Sequence, residues 1–180
     1  STLGSSNFDG SIQAVVKANT TAGFSIISFT GNGSSGSTVG HGLGVTPNFC
    51  IMKNRDRTGV NWVAASFDLE KARELNNSNP FADGDYDAFF ASQPSSTLLT
   101  LGNNDNNNKN NEKIIAYVFS EVAGYSKIST YVGNGSSDGV FVFTGFRVAF
   151  IIVKATGLTE SWYLYDNKRN TFNAVDKYLR

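Results

Sequence analysis

The sequence predicts an all-β fold, an antiparallel β-sandwich of jelly-roll or lectin-like type built from two homologous units with little helix. Three observations carry this expectation. The 180 residues include 14 Phe, 7 Tyr and 18 Gly but only 3 Pro, the mixture of strand formers and turn formers that short strands and tight loops require. The stretch Gly-Asn-Gly-Ser-Ser occurs twice, at 31–35 and 133–137. Its flanks repeat too: GFSIISFTGNGSS (23–35) matches GYSKISTYVGNGSS (124–137) with one inserted residue, GVTPNFCIMK (44–53) matches GFRVAFIIVK (145–154), and NWVAASFD (61–68) matches SWYLYDNK (161–168). A period of roughly 100 residues is a sheet-forming unit, larger than a solenoid repeat.

The elements follow in chain order. Residues 1–22 read as an N-terminal arm with one strand, Ile12 to Lys17, whose partner is either the chain's own sheet or a neighbouring subunit. The arm holds little apolar material of its own, so Phe8, Ile12 and Val15 are assigned to a subunit interface. Residues 23–123 form the first β unit: GFSIISFTG alternates apolar and polar residues and runs into Gly-Asn-Gly, read as a hairpin turn because Asn and Gly adopt positive φ at low cost. PNFCIMKNRD and VAFIIVKA are short apolar runs closed by a lysine, as in central strands. Trp62 and Trp162 are expected as core anchors beside Phe49 and Phe150. LEKAREL (69–75) has good helix formers and is the one short helix expected, while residues 81–102 resume a β pattern. The tract NNDNNNKNN (103–111) reads as a flexible surface hairpin loop, and KIIAYVFSEVAG (113–124) as the strand that closes the first unit. Residues 124–180 form a second unit packed on the first; nothing in the chain matches 81–123 a second time, so a fragment of a longer array is expected.

Chemistry-bearing residues are sparse. With 15 basic and 15 acidic side chains the net charge is zero, so neither nucleic acid nor an anionic membrane is an expected partner. No run is apolar for long enough to cross a bilayer, and the first residues lack the basic and apolar regions of a signal peptide. His41 is the sole histidine, set in TVGHGLGVTP, without the strand-elbow-helix pattern of a hydrolase nucleophile. Cys50 sits inside an apolar run, where a thiol is a small buried hydrophobe. Asp83, Asp85 and Asp87 alternate and can offer oxygen ligands to Ca²⁺, yet the twelfth position from Asp83 is Pro94, not the glutamate an EF-hand loop needs. GNGSSG lacks the closing Lys-Ser/Thr of a phosphate loop. No cofactor and no catalytic residue are expected. Asp85, Tyr86 and Asp87 remain as a candidate ligand-binding stretch, since aromatic faces stack on sugar rings and carboxylates accept from hydroxyls.

From about Asp9 onward, the stretches TAGFSIISFTGNGSSGSTVGHGLGVTPNFCIMKNRD, YVFSEVAGYSKISTYVGNGSSDGVFVFTGFRVAFIIVK and YDNKRNTFNAVDKYLR resemble an uncharacterised repeat domain of structural and tail-fibre-like proteins in tailed phages, notably marine ones. Val148 departs from the proline more common there. The resemblance implies a non-enzymatic virion protein, a tail-fibre or appendage component that assembles with copies of itself and with other virion proteins. A capsid decoration protein, or a fibre-tip module binding a host-surface glycan or receptor, stands as the alternative. It supplies no catalytic residues.

Overall fold

A computed structural model of the protein describes residues 4–81, 85–169 and 176–180. The fold is all-β and antiparallel, in sandwich-like layers. The large layer is a seven-stranded sheet. Its strands are β1 (Ser5–Asn7), β2 (Ala14–Asn19), β3 (Phe24–Thr30), β5 (Phe49–Asn54), β6 (Trp62–Ser66), β7 (Lys71–Glu74) and β9 (Lys113–Phe119), in the order β1-β2-β3-β9-β5-β6-β7. One face is covered by the small sheet of β4 (Thr38–Gly40) and β8 (Leu98–Thr100) and by two short helices, α1 (Asp85–Phe89) and α2 (Asp105–Asn108). Apart comes a hairpin of β10 (Phe150–Val153) and β11 (Tyr163–Asp166).

Period-two patterning builds the large sheet. On β3, Ser25, Ile27 and Phe29 are buried while Phe24, Ile26 and Ser28 are half-buried on the other face; β9 divides in the same way into Ile114, Ala116, Val118 and Ile115, Tyr117, Phe119. Cys50 and Met52 on β5 and Val63 and Ala65 on β6 complete the covered face, which meets Val39, Leu99, Phe89 and Phe90 from the second layer in one core. The opposite face carries a row of rings: Tyr117 lies 6.4 Å from both Phe24 and Trp62, and Phe119 lies 4.9 Å from Phe24 and 6.0 Å from Phe49.

Several expectations are corrected. Of the two partners open to the N-terminal strand, the chain's own sheet takes it: β2 pairs with β3 and β1 with β2, and Ile12, assigned to a subunit interface, is bridged to Val39 in the chain's own core. The first Gly-Asn-Gly is not a hairpin turn, because β3 and β4 lie in different sheets. Instead it crosses between layers: Asn32 Oδ1 accepts the Ser34 amide, Gly31 and Gly33 donate to the Glu112 and Asn108 carbonyls, and a Cβ at Gly31 would sit 2.4 Å from the Lys109 oxygen. LEKAREL holds β7 instead of a helix, since pairing with β6 buries Ala72 and outweighs a modest helix propensity. Residues 81–102 contribute α1 as well as β8. Trp62 is 37% exposed on the ring face, Phe49 shares that face, Trp162 is half-buried edge-on to Phe81, and Phe150 is exposed.

The Asn-rich tract is the largest departure. It is no loose hairpin loop: Asn104 caps α2 by accepting the Asn106 amide, and Asn107 and Asn108 are fully buried. Asn107 Nδ2 donates to the Phe89 carbonyl at 2.7 Å, and Asn108 Nδ2 to the Gly102 and Ser34 carbonyls at 2.7 and 3.0 Å. The Asn108 side-chain oxygen accepts the Asn32 amide, and that of Asn106 accepts the Asn61 amide. These bonds tie both layers together.

The two hairpins β5–β6 and β10–β11 share one register. Phe49 faces Ser66 and Lys53 faces Trp62; 101 and 100 residues later, Phe150 faces Asp166 and the ladder leads to Lys154 opposite Trp162. Lys53 Nζ donates to the Val60 carbonyl, and Lys154 Nζ to the matching Glu160 carbonyl. Gly33 and Gly135 both hold positive φ, +70° and +69°. Beyond the hairpin the likeness ends, because residues 125–149 form no ladder.

Replacing Asn107 or Asn108 by Ala should cost about 1–3 kcal/mol, the penalty for stranding buried carbonyls. Asn103→Ala, at an exposed position of the same tract, should stay within about 0.5 kcal/mol. Urea unfolding measures both; equal effects would show that the amides hold nothing.

Candidate functional site

His41 and Cys50, the residues with the widest chemical range, are both withdrawn from solvent. His41 is fully buried after β4; its Nδ1 accepts the Leu43 amide at 3.2 Å, which leaves Nε2 to donate to the Ser95 carbonyl at 3.2 Å. Burial lowers its pKa from the ordinary 6.5, partly opposed by the Ser95 carbonyl and the charge of Asp9. Both ring nitrogens are occupied in holding the turn. Cys50 is fully buried on β5, and burial pushes its thiol far above the ordinary value, so no thiolate forms near neutral pH.

Asp85, Tyr86 and Asp87 all lie on α1, and the tyrosine among them turns inward. Tyr86 is buried against Phe67 and Phe90, with ring centroids 6.4 and 5.5 Å away, and burial pushes its phenol up. Asp85 opens the helix and Asp87 is exposed, while Asp83 lies outside the described residues. Among the described residues no group of three His, Cys, Asp or Glu side chains can hold a metal ion.

A charged cluster joins α2 to the β5–β6 loop. Arg57 donates through Nη1 to Asp105 at 2.9 Å and through Nε and Nη2 to Glu112 Oε1 at 3.1 and 2.8 Å; Lys109 pairs with Asp105 at 3.0 Å. Asn54, fully buried, donates to Glu112 and to the Asp105 carbonyl. Hydrogen bonds from Lys109 to Asp105 and from Asn54 to Glu112 hold both carboxyls below their ordinary range. Charges so fully matched make a brace.

Several large apolar side chains face solvent. Val132, Phe141 and Phe143 are 87%, 88% and 77% exposed, and Tyr131, Phe150 and Ile151 are exposed as well. Ile151 occupies on β10 the place of fully buried Cys50 on β5. Tyr163, Tyr165 and Tyr178 gather at the end of the chain, the first two stacked at 6.5 Å and the third packed across both at 5.3 and 5.5 Å. Of the three residues assigned to an interface, Phe8 and Val15 are exposed and Ile12 is in the core. The exposed set around residues 131–151 was not singled out from sequence; its one signal was that the second unit lacks a match to 81–123.

Among the described residues His41 and Cys50 are buried, and the exposed apolar side chains offer a surface for contact. Comparison with known families supplies the classification: the model of the Domain of unknown function (DUF7483) matches residues 1–180. The chain belongs to the DUF7483 family. No curated protein and no solved structure matches it. In this DUF7483 chain, then, the surface itself is the guide to function.

Two outcomes follow for the buried groups. Since folding lowers the His41 pKa, the unfolded chain binds the proton more readily, so unfolding free energy should fall as pH drops below about 6.5. Denaturant titrations from pH 7 to 5 should show that slope in the native protein and lose it in His41→Gln. Cys50 should react with a thiol reagent only after denaturant is added; prompt reaction in the folded protein would place β5 outside the core.

Proposed function

We propose that this chain is a non-enzymatic structural protein of a phage particle, a tail-fibre or appendage component that assembles with copies of itself and with other virion proteins. The observation that carries the assembly part is the exposed apolar stretch from Tyr131 to Ile151, ending in a strand with an open edge. A free monomer gains nothing from such a surface, whereas a subunit of a larger body buries it. The burial of His41 and Cys50 supports a role without catalysis. The phage setting rests on the resemblance in the glycine-rich turn, the Phe-Ile-Ile-Val-Lys strand and the Tyr-Asp-Asn-Lys-Arg-Asn segment.

A second reading, a module that binds a host-surface glycan, is favoured by the Tyr163–Tyr165–Tyr178 cluster, since stacked phenol rings suit the apolar faces of sugars. Mass spectrometry and antibody labelling of gradient-purified particles test the first reading: the chain should remain with the particle after a salt wash. Its absence would sink the virion assignment. Binding to a glycan array that Tyr165→Ala abolishes would move the second reading to the front.

A further inference from the structure

We infer that the outer edge of β10 is a self-association site, at which a second copy of this chain adds its own β10 antiparallel to form a two-fold dimer. This rests on the assembly reading above and names the contact. The internal repeat says what this edge needs. Strand β5, in the same register with its hairpin partner, lies between β6 and β9, and its second edge takes the antiparallel apolar strand β9, Phe49 opposite Phe119 and Ile51 opposite Tyr117. Among the described residues strand β10 pairs with β11 only.

Nothing described within the chain can fill the place. β9 already spends both edges on β3 and β5, and the outer edge of β11 carries a bridge from Leu164 to Leu179. The outer edges of the large sheet are protected as a monomer's edges are: β1 is the short polar Ser5-Ser6-Asn7, and β7 is Lys71-Ala72-Arg73-Glu74. β10, Phe150-Ile151-Ile152-Val153, carries neither charge nor proline. Among the described strands it is the apolar one with an open edge, so its fitting partner is another β10, and a chain of zero net charge does not repel its copy.

The ladder fixes the register. Asn167 donates to the Ala149 carbonyl, so residues 149, 151 and 153 bond toward β11, and Phe150 and Ile152 aim their N–H and C=O groups at the open edge. Centring the two-fold axis on Ile151 makes Phe150 and Ile152 of the two copies a hydrogen-bonded pair. It sets Ile151 against its own copy as a non-hydrogen-bonded pair, with Cα atoms about 4.5 Å apart. Apolar side chains then meet on both faces.

The test uses the full chain and two kinds of variant. A cysteine at the axis is within disulfide range and one at the neighbouring position is not, and native Cys50 is buried. Under mild oxidation Ile151→Cys should give a covalent dimer and Phe150→Cys should not. Sedimentation should find the native chain dimeric and Ile152→Pro, which removes an outward N–H but no bond to β11, monomeric; Phe150→Lys serves if the proline variant does not fold. A dimer that survives Ile152→Pro without the selective cross-link would overturn the β10 contact while leaving assembly standing. A native chain that stays monomeric and uncross-linked, or that binds a KIIAYVF peptide at β10 and not its own copy, would overturn it as well. Particle composition decides the virion reading separately.

Discussion

The fold hangs on a turn of buried amides. α2 is a single turn, too short to persist as an isolated helix. It is held because its asparagines reach the backbone of separate segments: Phe89 at the end of α1, Gly102 after β8, Ser34 and Asn32 in the crossover after β3, and Asn61 before β6. Each such bond is worth about 1 kcal/mol net, but a stranded buried carbonyl costs more than a made bond gains. An amide suits the task because it donates and accepts without charge, where a carboxylate would have to be paired or neutralised. The Arg57–Asp105–Glu112 brace lies at the outer side of the same turn, where partial exposure makes its charges inexpensive. Covering layer, crossover loop and central strands thus meet at one polar node.

A second constraint is that a strand has only two edges. β9 reads Ile114-Ile115-Ala116-Tyr117-Val118, close to Ile12-Gln13-Ala14-Val15-Val16 around β2, and both lead into Ala-Gly followed by an aromatic residue and Ser. By sequence, β9 stands to residues 125–131 as β2 stands to β3. In space it is already consumed, lying between β3 and β5 across its whole length. Among the described residues the counterpart of β3 therefore has no strand to pair with, and the apolar side chains that follow are left in solvent. The hairpin β10–β11 still forms, because its partners are neighbours in the chain.

Much of the fold was legible for the same reason. Alternation marks β3, a short apolar run marks β5, and that run correctly places Cys50 in the core. Alternation tells which residues share a face but not which face is covered. Phe49 and Cys50 point to opposite sides, so only one of them can belong to the core, and Trp62 shares the side of the rings. The asparagine tract misled because its burial depends on groups distant in sequence, such as Ser34 at 74 residues' separation and Asn32 at 76. The Asp85-Tyr86-Asp87 stretch misled in a similar way: Tyr86 is claimed by Phe67 and Phe90, contacts that no local pattern announces.

These constraints bear on function together. A chain that meant to act through His41 or Cys50 would have to bring a reagent past Leu43, Val63 or Met52, all buried in the same core. Some of the polar groups outside serve as Asx turns and matched ion pairs. Among the described residues the backbone offers the open ladder of β10, with apolar area beside it in the sequence. Open ladders recognise other strands, because their hydrogen-bond spacing is fixed and their side chains alternate at a fixed period. The two sheet edges that a monomer would need to protect are short or charged, and the edge that an assembly would need to use is apolar. That asymmetry is hard to reconcile with a solitary protein and follows directly if β10 is where this one meets its partner.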